Sequence, residues 1–296
     1  MLSSVIPELP GHTAVVCHDA GAANILIASL LQTGRKDWYA YMQGRAQELW
    51  KNSFPGIAPA DSLNSVLDSA ELLLTGTGWG DFEHDARKMA RERGIYNIAL
   101  IDHWVNYTER FVREGEFVWP DEIWVTDEYA MEIATRDCPG QNIRQIPNCY
   151  LESQLRTIAG TERVATPELL YLLEPIRDNW GRELPGEFQA LNYFVDRLPK
   201  LELLREPRIC LRPHPAEEPD KYDGWVKDHD YLDIRVDHAL SPAESIGRST
   251  WVAGCQTAAM VLALEAGRRV YCTLPPWAPP CQLPHDGLIH LASESA

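Results

Sequence analysis

The sequence predicts an α/β protein made of two Rossmann-like, doubly wound domains that face each other across a cleft. Three observations carry this. Short apolar runs rich in Val, Ile and Leu alternate with stretches of helical length, the pattern of a parallel sheet covered by helices. The alternation stops at a polar, broken stretch, residues 161–167, and then begins again. The 296 residues suit two domains at about 150 residues each. The expected domains are residues 1–160 and 161–296.

In the first half, residues 13–17 read as a strand, followed by the turn His18-Asp19-Ala20-Gly21 and an apolar helix over 22–31. Residues 38–42 and 70–74 are the next strands, the latter ending in Thr75-Gly76-Thr77-Gly78-Trp79-Gly80. A charged helix over 81–93 is closed by Gly94, a residue suited to the left-handed turn after a helix. A strand over 97–101 ends at Asp102-His103-Trp104, and one over 122–126 leads to Asp127, which can cap a helix reaching Asp137. Residues 144–146 form a short sixth strand. In the second half, strands are expected at 169–173, 208–211, 232–236, 250–253 and 269–273, and helices at 186–198, 242–248 and 258–266.

With 45% hydrophobic residues, ten Trp and eleven Tyr, the chain can bury a large core. Its 27 basic against 43 acidic residues give a net charge of −16, which repels nucleic acid and anionic lipid. The seven cysteines are scattered without a Cys-x-x-Cys pair, as expected in a reducing compartment. No secretory signal and no apolar run of roughly 18 residues occurs, so a cytoplasmic protein without a membrane span is expected.

Four loops carry candidate chemistry. Arg212-Pro213-His214-Pro215 ends the run Arg208-Ile209-Cys210-Leu211, and its prolines stiffen the backbone. An arginine fork and an imidazole at the carboxyl edge of a sheet suit phosphate. Gly254-Cys255-Gln256-Thr257 leads into a helix whose N-terminus favours anions, with Gln256 and Thr257 as added donors and Glu265 two turns on, toward a sugar hydroxyl. In the first half, His18 is a candidate general base, with Asp19 or another carboxylate to orient it, and Gly21 permits close approach of a ligand. The Gly76 and Gly78 turn offers backbone amides to an anion but is no P-loop, and Asp102 is the second candidate base. The runs Glu83-His84-Asp85 and Asp228-His229-Asp230 hold potential metal ligands, but neighbours on a helix do not face one ion, so no metal is expected.

The Arg-Pro-His-Pro loop and the later Gly-x-Gln-Thr-Ala…Leu-Glu-Ala-Gly-x-x-Val unit, on two Rossmann-like halves, resemble GT-B glycosyltransferases. More narrowly, they resemble bacterial surface-polysaccharide enzymes with a His-Pro loop: sialyltransferases, Kdo transferases and teichoic-acid glycerophosphotransferases. The resemblance implies that His214, Pro215, Gln256 and Thr257 hold a nucleotide-sugar donor and that the base, His18, Asp19 or Asp102, comes from the first half. It also implies a glycan acceptor and no cofactor beyond the nucleotide sugar. The chain is shorter than most such enzymes, and Gln256-Thr257 stands where sialyltransferases have a Ser-Ser or Ser-Thr pair. UDP-sugar 2-epimerases share the fold and would need several carboxylates converging, which Asp19, Glu83 and Asp102 could supply. A protein that binds the nucleotide or sugar without turnover is the third reading.

Overall fold

A computed structural model describes residues 6–176, 178–201, 203, 207–237, 239 and 241–293. The chain divides into two compact units, residues 1–152 and 153–296. The first holds β1 (Thr13–Cys17), α1 (Ala20–Gln32), β2 (Tyr39–Met42), α2 (Gly44–Ser53), α3 (Leu63–Leu67), β3 (Leu72–Thr75), α4 (Asp81–Glu92), β4 (Tyr96–Leu100), a small hairpin of β5 (Val112–Arg113) and β6 (Glu116–Phe117), β7 (Glu122–Val125), α5 (Glu128–Asp137) and β8 (Ile143–Gln145). Helix α6 (Cys149–Gly160) runs through the division. The second unit continues with β9 (Glu168–Leu172), α7 (Gly186–Arg197), β10 (Arg208–Arg212), α8 (Asp223–Asp228), β11 (Ile234–Val236), α9 (Pro242–Arg248), β12 (Trp251–Gly254), α10 (Ala258–Glu265), β13 (Arg269–Cys272) and β14 (Leu288–His290).

Each unit is built on a six-stranded, all-parallel sheet. The first runs β2-β1-β3-β4-β7-β8 and the second β11-β10-β9-β12-β13-β14. Central strands β1, β3, β7 and β9 are buried along their whole length, which is why they read as unbroken apolar runs rather than alternating ones. In the first unit, Leu26, Leu30 and Trp50 pack on one sheet face and Val66, Ala86 and Ala90 on the other. In the second, Leu191, Phe194, Tyr222 and Trp225 cover Leu169, Tyr171 and Leu211.

The strands and helices expected from sequence recur, most within two residues of their expected ends. Helices α2, α3, α6 and α8, the β5–β6 hairpin and β14 were not expected. Helix α2 buries only Ala46 and Trp50, so its sequence carries little apolar periodicity.

Candidate functional site

In an open parallel sheet, ligands sit beyond the carboxyl ends of the strands where the strand order reverses. That point lies between β1 and β3 in the first unit and between β9 and β12 in the second.

In the first unit, β1 delivers His18 and Asp19, and β3 delivers the Gly76–Gly80 loop. Glu83, in the first turn of α4, is fully buried and binds His18 twice: Oε1 accepts the His18 backbone N–H at 2.9 Å and Oε2 pairs with Nδ1 at 2.7 Å. A carboxylate at Nδ1 fixes the ring with its proton there and its Nε2 lone pair available. The His18 side chain is 31% exposed, whereas the Glu83 carboxylate that orients it is sealed from water. Asp19 caps α1, its Oδ1 accepting the Ala22 N–H at 3.3 Å.

Two glycines make the cluster possible. A Cβ at Gly78 would lie 2.1 Å from His18 Cε1 and 2.8 Å from Asp19 Oδ2. A Cβ at Gly21 would lie 1.8 Å from Asp102 Oδ2, so the carboxyl that follows β4 packs directly on the start of α1. Burial, reinforced by the nearby Asp19 charge and opposed by Arg110, pushes the Asp102 carboxyl up to about 6. Arg110 Nη1 stands 3.5 Å from Asp102 Oδ1.

Three arginines shape the loop after β3. Arg87, fully buried, donates to the Gly76 carbonyl at 3.1 Å. Arg110 donates to the Thr77 carbonyl at 3.0 Å, and Arg113 to those of Gly78 and Gly80 at 3.0 and 2.9 Å. Burial lowers the Arg87 guanidinium only to about 10, so it keeps its charge at neutral pH. Trp79 at the loop's tip is 57% exposed, with the Arg110 guanidinium 5.4 Å from its ring centre.

Donor atoms of His18, Asp19 and Glu83 lie within 4.8 Å of one another, a set that could hold a metal ion. The sequence suggested Glu83 beside Asp19 and Asp102 as a converging carboxylate, and as a metal ligand only beside its chain neighbours His84 and Asp85; a set with His18 was not expected. With Nδ1 hydrogen-bonded to Glu83, His18 would offer a cation its Nε2.

In the second unit, β9 delivers Glu174 and β12 delivers Gly254-Cys255-Gln256-Thr257. The Gln256 N–H donates to Glu174 Oε1 at 2.9 Å, and Gln256 Oε1 accepts from the Gln282 N–H at 3.2 Å. Burial lifts the Glu174 carboxyl to about 7; the Gln256 amide opposes the rise and the Glu217 charge adds to it. Thr257 caps α10 in an extended conformation without a side-chain bond to the helix. Glu265 is exposed at the last residue of α10, roughly 10 Å along the axis from its start, and is not brought to the turn.

Arg212 does not project as a free fork. Its Nη1 donates to Asp237 Oδ2 at 2.7 Å, to Ser245 Oγ at 2.8 Å and to the Ala239 carbonyl at 3.2 Å. This differs from the open phosphate fork expected, because a buried Asp237 takes the charge inward. His214 and Pro215 stay exposed. The His214 N–H donates to Glu217 Oε2 at 3.2 Å, and the Ala216 N–H donates to His214 Nδ1 at 3.2 Å, which directs the imidazole proton to Nε2. Glu217 is itself held by Lys221 at 2.6 Å and the Tyr222 hydroxyl at 2.8 Å.

Of the residues singled out from sequence, the fold gathers His18, Asp19, Gly21, Gly76, Gly78 and Asp102 at one switch point and Gln256 and Thr257 at the other, with Arg212 at the end of the neighbouring strand β10 and His214 and Pro215 in the loop after it. Glu83 as the partner of His18, the arginine clamp and Glu174 were missed. An acid two residues into the helix that follows the glycine-rich turn is the signal that could have paired Glu83 with His18.

No family model and no curated protein matches the chain. Solved structures do. A putative UDP-N-acetylglucosamine 2-epimerase from Listeria monocytogenes superposes with a TM-score of 0.61 at 13% identity, covering 93% of this chain and 83% of the other. The S. aureus MnaA–UDP structure gives 0.58 at 11% identity over 88% and 79%. The wall teichoic acid polymerase TagF, solved with CDPG, gives 0.51 at 15% identity over 89% and 70%. Among the described residues no helix is long and apolar enough to cross a membrane. With two six-stranded parallel sheets and these structural neighbours, the chain has the GT-B fold, two Rossmann-like α/β domains in tandem.

Proposed function

We propose that this protein is a nucleotide-sugar enzyme that transfers a sugar from its donor to a hydroxyl of a glycan acceptor without a metal ion. The observation that carries the reading is the His18–Glu83 pair at the first unit's switch point. Transfer to a hydroxyl needs a base as the oxygen attacks, and an imidazole held by a buried carboxylate at Nδ1 is poised to take that proton at Nε2. Glu83 then stabilises the imidazolium. Asp102, protonated below about 6, adds negative charge beside the site as pH rises.

The second unit supplies the nucleotide site in this reading. His214 Nε2 and the first amides of α10 stabilise the negative charge that gathers on the departing nucleotide. Arg212 acts behind them, fixing the strand end through Asp237 rather than touching phosphate. The neighbours MnaA, solved with UDP, and TagF, solved with CDPG, support a nucleotide as the ligand.

One observation favours a second reading, sugar epimerisation: Asp19 and Glu83 lie beside His18, and Asp102 is near enough for both their charges to raise its carboxyl. Incubation with UDP-, CMP- and CDP-linked sugars separates the two. Release of nucleotide only when a glycan acceptor is present supports transfer, and interconversion of the sugar without acceptor supports epimerisation. Turnover is expected to persist in EDTA; its loss would move the cation back to His18, Asp19 and Glu83.

A further inference from the structure

Three cysteines gather at the carboxyl end of the second sheet, and none of them takes part in the proposed reaction. Cys272 ends β13, Cys255 follows β12, and Cys281 lies past a segment containing Pro275, Pro276, Pro279 and Pro280. The Cys272 thiol donates to the Cys255 carbonyl at 3.1 Å, and the Cys281 thiol points at the same oxygen at 3.8 Å. The two sulfurs thus converge on one carbonyl oxygen, close enough for each to shift the other's ionisation. Cys272 and Cys255 are buried, but Cys281 is partly exposed. All three are free thiols.

The chemistry of the pair is asymmetric. The neighbouring Cys272 thiol draws the Cys281 thiol down to about 7, whereas Cys281 and burial push Cys272 up and it stays a thiol. One sulfur is accessible and nucleophilic, and the other waits beside it as a resolving thiol. The next residue, Gln282, donates its backbone N–H to the Gln256 side chain. Whatever happens to Cys281 is therefore one peptide away from the turn assigned above to the nucleotide.

We propose that Cys281 and Cys272 form a peroxide-sensitive dithiol whose disulfide withdraws Gln282 from Gln256 and weakens nucleotide binding; the last step rests on the functional reading above. The Cys281 thiolate attacks a hydroperoxide oxygen. The S–O bond forms, the O–O bond breaks, and the departing hydroxide or alkoxide takes up a proton. Sulfur is oxidised to sulfenic acid and the peroxide is reduced. Cys272 sulfur then attacks the sulfenic sulfur, forming S–S and breaking S–O, and its proton leaves with the hydroxide as water. Thioredoxin-type dithiols would reverse the step.

Trypsin makes the test direct. No Lys or Arg follows Arg269, so Cys272 and Cys281 share the peptide 270–296, while Cys255 sits in 249–268. After brief treatment of the full-length protein with hydrogen peroxide and alkylation, the 270–296 peptide should be unalkylated and two hydrogens lighter, and dithiothreitol should restore both alkylation sites. Cys281→Ser should abolish the change, and Cys272→Ser should leave Cys281 sulfenic or over-oxidised. Both cysteines still alkylated, or a disulfide joining the two peptides through Cys255, overturns the pairing. Calorimetry with UDP, CMP and CDP on reduced and oxidised protein then reads the coupling, expected as about a tenfold loss of affinity on oxidation. Equal affinity in both states overturns the coupling. If no nucleotide binds the reduced protein, the functional reading fails and with it the coupling, whereas the peptide result still decides the disulfide.

Discussion

The two switch points sit at equivalent places on two similar sheets, yet they are furnished in opposite ways. In the first unit, three guanidiniums are turned inward onto backbone carbonyls, and carboxylates crowd round a half-exposed histidine. In the second, the one arginine of the strand-end loop is neutralised by Asp237, and the groups left facing outward are an exposed imidazole and the partly buried Gln256 turn at a helix N-terminus. The difference teaches that a charged residue at a sheet edge says little until its inward partner is known. A buried acid decides both cases: Glu83 holds the His18 ring at Nδ1, and Asp237 turns Arg212 inward.

That contrast breaks most readily at His18 and Glu83. His18→Ala and Glu83→Gln should each lower kcat by about 10²–10⁴ while nucleotide affinity, measured by calorimetry, stays within about twofold. A parallel loss of nucleotide affinity would show that the units do not divide the labour. Gly78→Ala should come next. Its methyl group would enter the space of His18 Cε1, and overpacking of this kind costs about 1–3 kcal/mol. Thermal denaturation should show the loss of stability, together with lower activity at temperatures where the variant is folded.

On the second unit's side, His214→Ala should weaken nucleotide binding by about 1.5–3 kcal/mol, the worth of a charge-assisted hydrogen bond, with an unchanged melting temperature because the residue is exposed. The smallest effect is expected from Glu174. Its carboxyl is lifted from 4.5 to about 7, so the folded chain keeps a proton that the unfolded chain has released. Its contribution to stability is therefore complete below about 4.5 and declines as pH rises through 7. Nucleotide affinity should fall severalfold over the same rise as a carboxylate appears beside the Gln256 turn, and Glu174→Gln should flatten both profiles. A pH profile of affinity that is identical in the variant would remove Glu174 from the site.

The sequence made the sheets legible because central parallel strands are apolar on both faces and end in turns. It made His18, Asp19 and Asp102 legible because chemistry at a strand's carboxyl end follows from the fold class alone. Glu83 was less so: its partner is 65 positions away, and only the adjacency of β1 and β3 brings them together. Arg212 was misjudged for the same reason in reverse. Its spacing suits phosphate, but Asp237 reaches it only because β10 and β11 pair in parallel. Helix α2 escaped notice because a helix that buries two residues leaves almost no periodic trace.

The arginine clamp has a consequence for how the first unit responds to its ligand. Arg110 and Arg113 come from the stretch after β4, so the Gly76–Gly80 loop acquires its shape only once that later segment has folded onto it. The conformational entropy of five residues, three of them glycine, is then lost during folding instead of at the encounter. An arriving substrate meets a mould already cast, and its binding heat reports contacts and released water rather than the ordering of chain.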